Sequence, residues 1–188
     1  EKPVDGWNYE FMHADQRFAA RRPDVLVFES DPLEEEVTLA GPIVADLLVS
    51  STGTDADFIV KLIDVFPDDY DGESPRDEDL PMGGYQMLVR WEIMPARFRN
   101  SFSKPEALTP GEVARVRFDI EDVLHVFKPG HKIMVQICST WFPIFSRNPQ
   151  TFVENPYKAK AEDYRKATMR IYRSATLASH IEVGVLPK

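Results

Sequence analysis

The residues that come closest to a ligand-binding pattern lie in an acidic stretch. Asp69, Asp71, Gly72 and Glu78 occupy positions 3, 5, 6 and 12 of a calcium-loop spacing. In such a loop, carboxylates at fixed intervals give oxygens to a hard cation and a glycine makes the sharp turn. Position 1 falls on Pro67, which has no side-chain oxygen. A calcium loop of this type also needs flanking helices, and strand patterns flank this one. The stretch PDDYDGESPRDEDL (67–80) therefore reads as a solvated loop, the ordinary state of a charge run. Weak calcium binding in another geometry is the alternative.

A second kind of chemistry would need an activated nucleophile. An α/β-hydrolase serine sits in G-x-S-x-G, because a strained strand-to-helix turn must expose it. Gly72-Glu73-Ser74-Pro75-Arg76 fails at the last position, and no other serine comes closer. His13, His125, His131 and His180 are far apart and form neither H-E-x-x-H nor a Cys/His zinc spacing. The one cysteine, Cys138, lies in an apolar run with no His or Lys beside it in sequence to lower its pKa, so it reads as an inert buried thiol. No glycine-rich phosphate loop is present. The sequence nominates no catalytic residue, no metal and no cofactor.

The stretch STWFPIFSRNPQ (139–150) has two readings. As a ligand site, Trp141 and Phe142 would stack on a sugar or an acyl ring. As structure, they would fill one end of a domain, with Pro143 stiffening the chain and Arg147-Asn148 tied to a carboxylate or to backbone carbonyls. Aromatic side chains are buried more often than displayed, which favours structure.

The elements that must position these residues are strands. In Ala114–Ile120, Ala114, Val116, Phe118 and Ile120 share one face, while Arg115, Arg117 and Asp119 share the other. This period of two marks a half-buried antiparallel strand. Thr109-Pro110-Gly111-Glu112 before it reads as a type II turn. Pro129-Gly130 repeats the device before a strand with Ile133, Val135 and Ile137 on one face. Strands are also expected at 25–29, 37–51, 57–66, 84–94 and 179–186, with Pro42 splitting the second or marking a bulge. Only NPYKAKAEDYRKA (155–167) reads as a helix, with Asn155 as N-cap and Pro156 at its first position. Strands spaced by turns, with one short helix near the C-terminus, predict an all-β protein: a β-sandwich or jelly roll.

Composition bounds the function. A chain of 188 residues can bury a core without disulfides. The net charge of -9 and the scattered Lys and Arg argue against nucleic acid, whose phosphates require clustered cations. No apolar run reaches the roughly 18 residues of a membrane span, so no membrane partner is expected. The chain opens on Glu1 and reads as a mature or excised fragment.

Four segments in series resemble a known family. They are ADQRFAARRPDVLVFESDPLEEEVTLAGPIVADLLVSSTGTDADFIVKLIDVFPDD (14–69), GGYQMLVRWEIMPARFRNSF (83–102), FKPGHKIMVQICSTWFPIFSRNPQTFVENP (127–156) and RIYRSATLASHIEVGVLP (170–187). They resemble the C-terminal domain of the X-prolyl dipeptidyl aminopeptidase and cocaine esterase superfamily of serine hydrolases. The branch of α-amino-acid ester hydrolases and glutaryl-cephalosporanic acid acylases is the most similar. Ser146 departs from the pattern, because the family often has Asp before Arg-Asn.

The resemblance implies a jelly roll of galactose-binding-like type over 25–188, preceded by a lead-in from the upstream hydrolase domain over 1–24. It implies a noncatalytic accessory domain, since the family's Ser-His-Asp triad lies upstream. The implied partners are that α/β-hydrolase domain, a small ester or amide substrate of the parent, and a second copy of the parent in a homo-oligomer. The parent's expected setting is bacterial, and periplasmic or secreted. In the family the lead-in runs beside the active-site mouth, so Trp7, Tyr9, Phe11 and Met12 are expected to wall the substrate pocket. Trp141, Phe142, Pro143, Arg147 and Asn148 are the structural signature. The alternative is a carbohydrate-binding module, with aromatics displayed on a loop rim.

Overall fold

The computed structural model of the chain describes residues 14–72 and 81–187. Its strands are β1 (Val25–Glu29), β2 (Val37–Ser51), β3 (Asp57–Val65), β4 (Gln86–Pro95), β5 (Ala114–Phe127), β6 (Lys132–Cys138), β7 (Met169–Ile171) and β8 (His180–Val185). A first sheet has the order β1-β6-β3-β4. A second has β5-β2-β7, with β8 also paired to β2. All pairings are antiparallel. The chain changes sheet between β1 and β2, β2 and β3, β4 and β5, β5 and β6, and β6 and β7, which makes a jelly-roll sandwich.

The period-two pattern explains how the layers meet. Val116, Phe118 and Ile120 point inward onto Phe58, Val60 and Leu62 of the facing sheet. Arg115, Arg117 and Asp119 alternate outward. Each such apolar side chain contributes about 1.5–3 kcal/mol on burial. Pro42 does mark a bulge: the β2–β5 register shifts between Pro42 and Val44. Glu121 faces that shift at φ 47, and the turn glycines Gly111 and Gly130 have φ 81 and 83.

Two differences from the sequence reading stand out. The expected helix at 155–167 is two single 3-10 turns, Pro156–Lys158 and Ala161–Asp163. Asn155 does cap the first, accepting from the Tyr157 amide at 3.0 Å. No residue of either turn is buried. Without tertiary packing, a short helix does not recover its nucleation cost. The second difference lies at the other end, where Arg17–Ala20 forms a one-turn helix, α1. With Gln16, this turn lies on the outer face of the first sheet. The Gln16 amide donates to Gln86 of β4 at 3.0 Å, and the Gln86 amide donates to Asp15 at 3.2 Å.

Candidate functional site

Every residue of β3 is buried, on both faces. A sandwich strand ordinarily shows one face to water. Here α1 and the loop after β6 cover part of the first sheet's outer face. At the centre of that face Lys61 is only 2% exposed. Its Nζ donates to Gln16 Oε1 at 2.9 Å and lies 4.0 Å from the Trp141 ring centroid. Burial lowers the Lys61 pKa to about 8. Trp141 is wedged against Trp91 at 4.8 Å, nearly perpendicular, and near Phe145 at 6.3 Å. Its indole N–H has no acceptor among the described residues.

Phe142 does not follow Trp141 inward. It is 62% exposed, which corrects the expectation that both rings pack on the core. Trp141, Trp91 and Phe145 already fill the space over Lys61, so the neighbouring ring is left at the rim. Arg147 is a second correction. No carboxylate pairs with it among the described residues; its guanidinium lies over the rings of Phe142 at 5.7 Å and Tyr164 at 5.8 Å. The neighbouring Ser146 offers it no charge. Pro143 follows Phe142 through a cis peptide bond. Asn148 is the well-anchored member of the signature, donating to Asp57 at 2.8 Å and accepting from the Gln150 amide at 2.8 Å.

The loop forms one wall of a cleft of about 690 Å³. Asp57, Arg97, Phe145, Arg147, Asn148 and Tyr157 are among its lining residues. Beneath it Arg97 and Asp55, 3% and 0% exposed at the side chain, form an ion pair at 2.6 Å. Arg97 also donates to the Val153 carbonyl at 2.9 Å and stacks on Phe152 at 4.7 Å.

Burial pushes the Asp57 carboxyl up to about 6, opposed by the hydrogen bond from Asn148. Ionising Asp57 is therefore harder in the folded chain than in the unfolded one. Its contribution to stability is full below about pH 4 and is lost as pH rises through about 6. Asp57→Asn should remove that part of the pH dependence. Urea melts between pH 4 and 7 test it; curves for variant and parent that stay parallel contradict it.

Two further clusters escaped the sequence reading. Asp64, 2% exposed at the side chain, is held between His125 Nε2 at 2.9 Å and His131 Nδ1 at 2.7 Å. This arrangement joins β5, β3 and the turn before β6. On the second sheet's outer face, Asp46, His180 and Glu182 bring potential metal-ligand atoms within 4.8 Å of one another. Asp46 is already bonded by Arg115 and Arg117, and Arg117 also pairs with Glu182 at 2.6 Å. The Arg115 hydrogen bond leads in lowering Asp46 to about 2. Two guanidinium groups thus stand where a cation would bind, and the cluster is an ion-pair ladder.

Cys138 is a buried free thiol whose pKa burial raises. Trp7, Tyr9, Phe11 and Met12 lie outside the described residues, as do Ser74 and Glu78.

Residues 9–182 match the model of the X-Pro dipeptidyl-peptidase C-terminal non-catalytic domain. The chain belongs to this family. This X-Pro dipeptidyl-peptidase C-terminal domain is 33% identical over 175 residues to the cocaine esterase of Rhodococcus sp. (strain MB1 Bresler), covering 93% of the chain and 28% of the esterase. Among solved structures, it resembles an aminopeptidase from a marine sediment archaeon, Thaumarchaeota archaeon. The TM-score is 0.85 and the identity 44%, over 94% of this chain and 28% of that one. An α-amino acid ester hydrolase gives 0.85 and 42%, over 93% and 28%. The domain thus spans under a third of the length of these relatives. It is the non-catalytic C-terminal domain type of an esterase and peptidase family.

Proposed function

We propose that this domain docks on the α/β-hydrolase catalytic domain of its parent polypeptide through the outer face of its first sheet. The observation that carries this reading is that the upstream segment packs on the first sheet's outer face: Gln16 accepts from Lys61 there, Val27 is 37% exposed, Trp91 is half-buried, and Phe142 stands at the border. The second sheet's outer face carries the charged ladder of Asp46, Arg115, Arg117 and Glu182 beside the exposed Leu124 and Val126. Apolar surface that folding leaves in contact with water marks an interaction site. The chain also arrives across this face, through Asp15 and Gln16, from the direction of the lead-in.

The parent's reaction is then acyl transfer on a small ester or amide. A serine of the catalytic domain attacks the carbonyl, a histidine takes its proton, and water releases the acid. The domain's part is to close the cleft, with Trp7, Tyr9, Phe11 and Met12 of the lead-in on the pocket wall. In the full-length enzyme, Phe11→Ala should change the ratio of kcat/KM values among esters of different acyl size and leave the melting temperature unchanged. Unchanged ratios across a series of acyl groups contradict that placement. The 188-residue chain alone should not hydrolyse p-nitrophenyl acetate or an amino-acid ester.

One observation favours a carbohydrate module instead. Tyr157, 84% exposed, lines a cleft that also holds Phe145, Asp57 and Asn148. Aromatic faces beside amide and carboxylate groups are the equipment of a sugar site. Calorimetry with mono- and oligosaccharides separates the readings: docking predicts no saturable heat, and a sugar module predicts a binding isotherm lost in Tyr157→Ala.

A further inference from the structure

The sandwich is open along one side, between the edge strand β1 of the first sheet and β8 with β7 of the second. A cavity of about 400 Å³ enters there. Its walls come from the inner faces of both sheets: Phe28, Leu62 and Val135 on one side, Leu47, Ile171 and Ile181 on the other. An apolar cavity of about 150 Å³ holds benzene, so this one has room for a chain of about eight to twelve carbons.

The polar groups at the cavity are few, and among the described residues one side chain there makes no hydrogen bond or ion pair. The Ser179 hydroxyl accepts from the Leu48 amide at 2.9 Å and donates to its carbonyl at 3.3 Å. His180 is held by the Ala178 carbonyl at 2.9 Å and by Glu182 at 3.3 Å. Arg173 is different. It is exposed, its guanidinium lies 5.6 Å from the centroid of the Phe28 ring that lines the cavity, and no carboxylate among the described residues pairs with it. Ligand sites combine apolar walls with a small number of polar groups that fix orientation. An arginine fork is suited to a carboxylate, which it can grip with two parallel hydrogen bonds.

We propose that this inter-sheet cavity binds a medium-chain carboxylate, its hydrocarbon tail between the sheets and its head group on Arg173. The site lies inside the sandwich and uses none of the residues assigned to docking.

The test is calorimetric titration of the 188-residue protein with decanoate, and with decanol as the uncharged control. Decanoate should bind with one-to-one saturation. Arg173→Gln, at an exposed position, should weaken decanoate about tenfold and leave decanol unchanged. Val183→Trp, at the cavity lining, should abolish both. In methyl NMR spectra of the parent, decanoate should shift Ile171, Ile181 and Val183 and leave the exposed Leu124 in place, which keeps the site testable if Val183→Trp does not fold. The proposal is overturned by absence of saturable binding, by equal affinity of Arg173→Gln and parent for decanoate, or by binding that moves none of those methyls. A cavity closed by a second copy, seen as a dimer in sedimentation that excludes decanoate, also overturns it.

Discussion

Trp141→Ala should lower the unfolding free energy by about 3–5 kcal/mol, as truncation of a buried large aromatic does. Phe142→Ala, one residue on, should change it by about 0.5 kcal/mol or less, as substitutions at exposed positions do. The difference follows from position. Trp141 fills the space among Trp91, Phe145 and Ile59, and its ring also covers the buried ammonium of Lys61. Removing it leaves a cavity and a cation that loses its nearer aromatic partner, with only the Phe18 ring left at 5.9 Å. Phe142 meets only the guanidinium of Arg147 among the contacts described, at a solvent-facing rim. Chemical denaturation of both variants checks the pair of values. Equal losses would mean that the loop is packed as one unit.

Arg97→Leu should cost about 3–5 kcal/mol, because it leaves Asp55 as an uncompensated buried charge. Asp55→Leu should cost a similar amount for the mirror reason. The double variant should be less destabilised than the sum of the singles, since neither charge is then stranded. The measurement is a double-mutant cycle by urea melts. Strict additivity would show that the 2.6 Å contact does not couple the two residues. Arg97 also holds Val153 and Phe152 in the segment after the signature loop. Its loss should therefore loosen one wall of the 690 Å³ cleft.

The strands were legible because alternation is a local property. Val116, Phe118 and Ile120 announce both a strand and its buried face, and the sequence reading of β2 matches its observed span, 37–51. Strand β5 runs seven residues past Ile120, to Phe127, because Glu121 absorbs the bulge opposite Pro42 and the alternation resumes at Val123. A left-handed residue within a strand has no signal when it is glutamate rather than glycine. Strand β7, three residues long, is too short to show a period. At 155–167 the capping residue was read correctly, but a cap only starts a helix; with no buried face the turns end after three residues each.

The site was less legible. Trp141 and Asn148 drew notice as members of an unusual cluster, yet their partners lie elsewhere in sequence. Asn148 meets Asp57 across 91 residues, and Asp64 meets His125 and His131 across 61 and 67. Alternation tells which face a side chain takes and nothing about which distant strand it will touch. Lys61 shows the same limit. It sits within a strand buried on both faces, and only the covering of that face by Gln16 and Trp141 explains a lysine there.

Docking of the first sheet's outer face on the parent's catalytic domain is open to direct measurement. The most direct measurement is calorimetric titration of the separately expressed catalytic domain with this 188-residue chain and two charge variants. Val27→Glu places a carboxylate on the proposed face. Leu124→Glu places one on the outer face of the second sheet, where Leu124 is 77% exposed. Docking through this face predicts saturable binding by the unsubstituted chain and by Leu124→Glu, and binding weakened at least tenfold in Val27→Glu. Undiminished binding by Val27→Glu, or its loss in Leu124→Glu alone, would contradict it.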